Sequence, residues 1–218
     1  MGWREFARLA TAIGSQTLSI RGSDKSMYGK LFEKLILGSI LTILGCQRAD
    51  PHHLRKTSKV FWLSDSSGSR ESDATLLYRP GKMARFDIGF IGRGNSEISK
   101  DKLSRYEREA EAGGALHDSV TFILVDTLPA RSDKTQAAAN RIGAEVIQMN
   151  WQQWPRILAQ RLEARLGFAH ELATMPENQV KAYLTKRVAS ISVEDFLTAL
   201  SIDAMTEAAK EEGEEAPG

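Results

Sequence analysis

Residues 119–128, SVTFILVDTL, are mostly apolar and hold the unbroken run Phe122-Ile123-Leu124-Val125. A strand of that kind is buried on both faces, so its sheet must be covered on each side. Around it the sequence alternates. KVFWLSD, DATLLYR and MARFDIGFI are predicted strands, the last two joined by a Pro-Gly turn at Arg79-Pro80-Gly81-Lys82. GRGNS is a tight turn, and Ser96 caps a helix predicted from Glu97 to about Ala112, stopped by Gly113-Gly114. A short helix, SDKTQAAANRIGA, and a last strand, EVIQMN, follow the apolar strand. Upstream, RGSDKS is a loop rich in N-cap residues, and a strong helix is expected from Met27 to Gly45, with Gly45 as its C-cap. QRADPHHLRKTS is a polar connector. The order helix, three strands, helix, strand, helix, strand, helices describes an α/β domain around a mixed sheet.

Both flanks are helical. WREFARLATAI at residues 3–13 starts almost at Met1, so the true N-terminus is expected upstream. WQQWPRILAQRLEARLGF is a helix with Pro155 in its first turn, and helix is expected to continue to about Lys210 before the acidic tail EEGEEAPG. The expected division is a core domain over 1–150, a helical extension over 151–210 packed on it, and a disordered tail over 211–218.

The chain has 218 residues, 42% hydrophobic, with a formal net charge of +1. A nucleic-acid surface, if present, must therefore be local. Cys46 is the single cysteine, which excludes an intramolecular disulfide and a cysteine-based zinc site. Its place at the end of an apolar helix predicts an inert buried thiol. KLILGSILTILGC is shorter than the ~20 residues a bilayer span needs. Glu33 and Lys34 border it, and it is expected to be a buried core helix of a cytoplasmic protein with no membrane partner.

The hairpin holds the chemistry. With Asp73 opening one strand and Asp87 on the next, the turn brings two carboxylates together. Such a pair repels unless a cation shares it, and oxygen donors suit Mg²⁺ or Mn²⁺. The alternative is that Asp73 caps a turn and Asp87 pairs with Arg85 or Arg93. Glu33, set among apolar residues, needs a partner too: Lys30, Lys34 or a metal cluster. GFIGRGN lacks the residues of a nucleotide loop; as a turn it lets a DNA backbone approach Arg93 and Asn95. Ser99, Lys102 and Arg105 lie on the helix that follows. Arg161 and Arg165 share a face of their helix, either solvated or tracking phosphates. His52, His53, His117 and His170 lack the company that a zinc site needs. Trp151 and Trp154 are expected anchors of a core or an interface.

YGKLFEKLILGSILTILG, followed by ESDATLLYRPGKMARFDIGFIGRGNSEISKDKLSRYERE, resembles a type II restriction endonuclease of the PD-(D/E)xK nuclease superfamily, closest to its CfrBI-like group. The resemblance covers about residues 20–150. It implies an αβββαβ core, flanked by helices, with Glu33 from the first helix and Asp73 and Asp87 from the strands. The superfamily lysine falls on Gly89, a departure; relocation to the next helix makes Lys102 the first candidate and Lys100 the second, with Glu97 as an extra acid. Asp101 pairs equally well with Arg105, four residues on. The resemblance further implies Mg²⁺, or Mn²⁺, on Asp73 and Asp87, double-stranded DNA as substrate, and cleavage to 5′-phosphates. Contacts to DNA would come from Arg93, Asn95, Ser99, Lys100 and Arg105. It also implies a homodimer and a companion DNA methyltransferase. The alternative is a nuclease-fold protein that binds DNA without cutting it.

Overall fold

One mixed sheet organises the protein. Its strands are β1 (Gln47–Arg48), β2 (Val60–Leu63), β3 (Ala74–Arg79), β4 (Lys82–Gly89), β5 (Asp118–Val125) and β6 (Ala144–Gln148), and they lie side by side in chain order. This computed structural model describes residues 2–9, 12, 23–64, 72–89, 118–126, 139, 143–149, 153–192 and 196. Strands β2, β3 and β4 form an antiparallel meander, whereas β4–β5, β5–β6 and β1–β2 are parallel pairs. The described helices are α1 (residues 3–9), α2 (Ser23–Ile43), α3 (Trp154–Leu166), α4 (Glu171–Thr174) and α5 (Glu177–Val188).

The sequence pattern accounts for the turns. Gly81 sits at φ 81°, the left-handed backbone that follows proline in a tight turn, and it closes the β3–β4 hairpin. Gly45 at φ 78° ends α2, where its N–H and that of Cys46 satisfy the carbonyls of Thr42 and Leu41. Pro155 stands in the first turn of α3 as expected.

Alternation along the strands divides the core. Leu76, Ala84, Phe86, Ile88, Phe122, Leu124 and Ile147 join Phe32, Leu35, Ile36, Leu37 and Ile40 of α2 in one large cluster, with Trp154, Leu158 and Leu162 of α3. Ile123, Val125 and Ala144 form a second cluster with Ala139 on the other face. Strand β5 is thus covered on both faces. The ring of Trp3 lies 6.1 Å from that of Trp154, and the Trp3 backbone N–H donates to Thr185 Oγ1 at 3.3 Å, fixing α1 against α3 and α5.

Four expectations are corrected. The connector after α2 contains β1, two exposed residues too short and polar to show a strand pattern. Helix α2 begins at Ser23, inside the expected loop, because its polar first turn needs no apolar stripe. Asp73 immediately precedes β3 rather than opening it. Helix after Trp154 is not continuous: Gly167 ends α3, and Met175 and Pro176 are extended between α4 and α5. The predicted helix at 97–112, the short helix at 132–142 apart from Ala139, the predicted helix at 197–210 and the tail at 211–218 lie outside the described residues.

Candidate active site

Register places the two hairpin carboxylates together. Ala74 pairs with Phe86 and Thr75 with Arg85, so one further step sets Asp73 opposite Asp87. Residues directly opposite on paired strands share a face. The Ile88 N–H donates to Asp73 Oδ2 at 2.7 Å, which ties this carboxylate to the strand carrying Asp87. The Ser64 N–H donates to the Asp73 carbonyl at 3.1 Å, so the chain entering β3 is held from the β2 side as well.

Asp87 is fully buried, at 0% exposure. Its neighbours Phe86 and Ile88 belong to the large cluster, and its partner in β5, Ile123, to the second. Asp87 therefore rises from the sheet face opposite α2. A carboxylate taken out of water is retained only where charge or hydrogen bonds compensate it. Asp73 is half-buried, which leaves the pair one wet side.

The donor set suits a hard cation. Mg²⁺ is commonly held by one or two carboxylates, keeping water and substrate phosphate as its other ligands. Asp73 and Asp87 offer oxygen donors of that kind. Among the described residues, no three His, Cys, Asp or Glu side chains gather as a metal-holding group. Glu33 is half-buried on α2, whose apolar residues pack against the Phe86 face. Arg93, Asn95, Glu97, Ser99, Lys100, Lys102 and Arg105 all lie in the stretch 90–117, outside the described residues. Gly89, where the resemblance would set the superfamily lysine, ends β4 beside Val125.

Asp126, which sequence reasoning passed over, lies at the same end of the sheet as the pair. It follows the last residue of β5, at the end of the sheet where β4 also finishes, and is half-buried. The available signal was a charge interrupting the apolar run SVTFILVDTL.

Other expectations fall into place away from this site. Cys46 is buried, and burial pushes its thiol up to about 12. His53 Nδ1 lies 2.8 Å from Asp50 Oδ2, and the His52 N–H donates to Asp50 Oδ1, so these residues build a surface turn. Arg161 and Arg165 both reach Glu145 of β6 at 3.8 Å, and Arg165 donates to the Gly143 carbonyl. No helix among the described residues is long and apolar enough to cross a membrane.

Comparison with known proteins agrees with the resemblance. The type II restriction enzyme CfrBI of Citrobacter freundii is 38% identical over 194 residues, which cover 88% of this chain and 54% of that enzyme. The chain thus spans about half the length of the curated relative it matches. No solved structure matches it significantly. The family model for the CfrBI restriction endonuclease matches residues 1–133, and the chain belongs to that family.

Proposed function

We propose that the protein is a sequence-specific, Mg²⁺-dependent endonuclease acting on double-stranded DNA, built on a PD-(D/E)xK core. The observation that carries this reading is the Asp73–Asp87 pair, set opposite each other at one end of the hairpin in a chain of the CfrBI family. The mixed sheet with helices has the layers such a core requires.

Asp73 and Asp87 would hold the cation, Mg²⁺ or Mn²⁺. When bound, it supplies Lewis-acid polarisation of the scissile phosphate and lowers the pKa of attacking water. The protein residues do the rest. The Ile88 N–H orients the Asp73 carboxylate, and the sheet holds Asp87 rigidly. A lysine ammonium, first Lys102, stabilises the charge that builds on the phosphate as water attacks in line. Glu97 would be a further acid of the site, whereas Glu33 lies on α2, which packs on the face of the sheet opposite Asp87. Attack that expels the 3′ oxygen leaves a 5′-phosphate. Arg93, Asn95, Ser99, Lys100 and Arg105 would position the duplex through its phosphates. A palindromic target cut on both strands implies a two-fold homodimer, and a companion methyltransferase would protect host DNA in the cytoplasm.

Nicking of supercoiled plasmid, with Mg²⁺ against EDTA, tests the reading. Metal-dependent conversion to open and linear circles supports it. Binding without cleavage in both conditions would leave a DNA-binding protein on a nuclease fold.

A further inference from the structure

The end of the sheet remote from Asp73 and Asp87 carries cations seated on aromatic rings. Lys59 Nζ lies 5.3 Å over the ring of Phe168, and the Arg79 guanidinium lies 5.5 Å over that of Tyr78. The two rings meet edge-on at 5.1 Å, and the Tyr78 hydroxyl donates to the Gly167 carbonyl. The Lys59 N–H donates to the Tyr78 carbonyl, so both cations belong to one patch. Its geometry is enforced: the β3–β4 register shifts between Leu77 and Arg79, and Lys59 holds φ 52° without being glycine. Bulges and left-handed non-glycine residues concentrate where a side chain must be aimed.

Neither Lys59 nor Arg79 makes an ion pair among the described residues. Both are exposed, as are Arg55 and Lys56 just upstream. The single acid between 49 and 59 is Asp50, already engaged by His52 and His53. Lys56 Nζ donates to Gln47 Oε1 at 2.7 Å, on the β1 strand that pairs with Val60 next to Lys59, and Arg55 precedes it in the chain. Lys82, which starts β4 beside the patch, is five residues from Asp87, about 17 Å at strand rise. That is roughly half of a 34 Å turn of duplex.

We propose that Lys59 and Arg79, on the Tyr78–Phe168 pair and with Arg55 and Lys56 beside them, grip the phosphate backbone of duplex DNA flanking the point at which Asp73 and Asp87 act. The proposal rests on the nuclease reading. The rings desolvate one side of each cation and restrict its motion, which favours a rigid polyanion with regularly spaced charges. The grip carries no sequence information; it adds affinity and orientation.

The test measures binding of the full chain to a non-cognate duplex in EDTA, by fluorescence anisotropy over a salt series. Each phosphate contact contributes about 0.9 to the slope of log affinity against log salt. Lys59→Gln with Arg79→Gln should reduce that slope by about two while the thermal midpoint stays put. Arg161→Gln, near β6 at the far edge of the sheet, should leave the slope unchanged. An unchanged slope in the double variant overturns the proposal and assigns the patch to another acidic partner. An equal drop with Arg161→Gln overturns it too, since binding is then diffuse. A wild-type chain that does not bind duplex at all sinks the nuclease reading itself. Should the double variant unfold, Arg55→Gln with Lys56→Gln makes the same test.

Discussion

The Ile88 N–H and the Asp73 carboxylate meet at 2.7 Å across the hairpin, and that bond ties one acid to the strand that carries the other. It separates two substitutions that otherwise look alike. Asp73→Asn keeps an oxygen to accept from Ile88 and loses only the charge. Asp73→Ala loses both, and a buried donor left unsatisfied costs about 1–3 kcal/mol. Both variants should lose at least a hundredfold in cleavage, about 3 kcal/mol of transition-state stabilisation. Only the alanine should also melt early. Cleavage retained by Asp73→Asn would remove Asp73 from the cation site.

Part of this site was legible, since placing the Pro80-Gly81 turn brings Asp73 and Asp87 to the same open end of the hairpin. Their alignment was not: a strict count from Arg79 opposite Lys82 sets Asp73 against Ile88, and the register shift between Leu77 and Arg79 brings Asp87 opposite instead. The burial of Asp87 was not legible, since it depends on β5 arriving in parallel register from far along the chain. Strand β1 escaped for the opposite reason: its two residues are defined by pairing with Val60 and Phe61, not by their own composition. The Tyr78–Phe168 pair joins residues from a hairpin and from the end of a distant helix, a juxtaposition that local pattern does not encode. The Gly89 departure was visible at once, whereas Lys100 and Lys102, the lysines proposed to compensate it, fall in the stretch 90–117, outside the described residues.

Glu33 is a sharper case. The charge is half-buried on a helix whose apolar residues pack in the large cluster. If its carboxylate serves the reaction, Glu33→Gln should slow cleavage by about a hundredfold or more with the thermal midpoint little changed. If it only balances α2, turnover should hold and the midpoint should move. The two readouts move in opposite senses, so one preparation decides.

Lys102 and Lys100 can be ranked by what they change. A cation acting mainly in the transition state lowers turnover rather than binding. Lys102→Ala should therefore lose about a hundredfold or more in cleavage rate while duplex affinity falls only slightly. Lys100→Ala should weaken binding in a salt-dependent way and leave turnover close to normal. The reverse order would transfer the role to Lys100. Full turnover in both would end the relocated-lysine idea.

Gly38 and Ser39, adjacent in α2, should respond in opposite directions. A Cβ at Gly38 would stand 2.4 Å from the Phe196 ring, well inside contact distance. Gly38→Ala should overpack that seat and cost about 1–3 kcal/mol despite alanine's better helix propensity. The thermal midpoint should fall by about 2–4 °C per kcal/mol. The Ser39 hydroxyl is fully buried and makes no hydrogen bond among the described residues. Ser39→Ala should be neutral or stabilising, because it removes a polar group that burial penalises. A stable Gly38→Ala would mean that Phe196 shifts freely.

His170 gives the fold a pH dependence with a definite sign. Burial holds its imidazole below the ordinary histidine range, helped by the nearby charges of Arg187 and Lys59 and opposed by Glu171. Its Nδ1 accepts from the Leu172 N–H at 3.1 Å, a cap on α4 that only the unprotonated nitrogen can make. The folded state thus takes up this proton less readily than the unfolded chain, whose histidine titrates near the usual 6.5. Above that value both states are neutral and the contribution is whole. As pH falls below it, the unfolded chain gains a proton first, and stability declines until the folded pKa is passed. The thermal midpoint should therefore drop between about pH 7.5 and pH 5.5. His170→Asn keeps a cap acceptor without the titration, so it should flatten that drop while leaving the midpoint at pH 7.5 nearly intact. An equally steep decline in the asparagine variant would assign the acid sensitivity elsewhere.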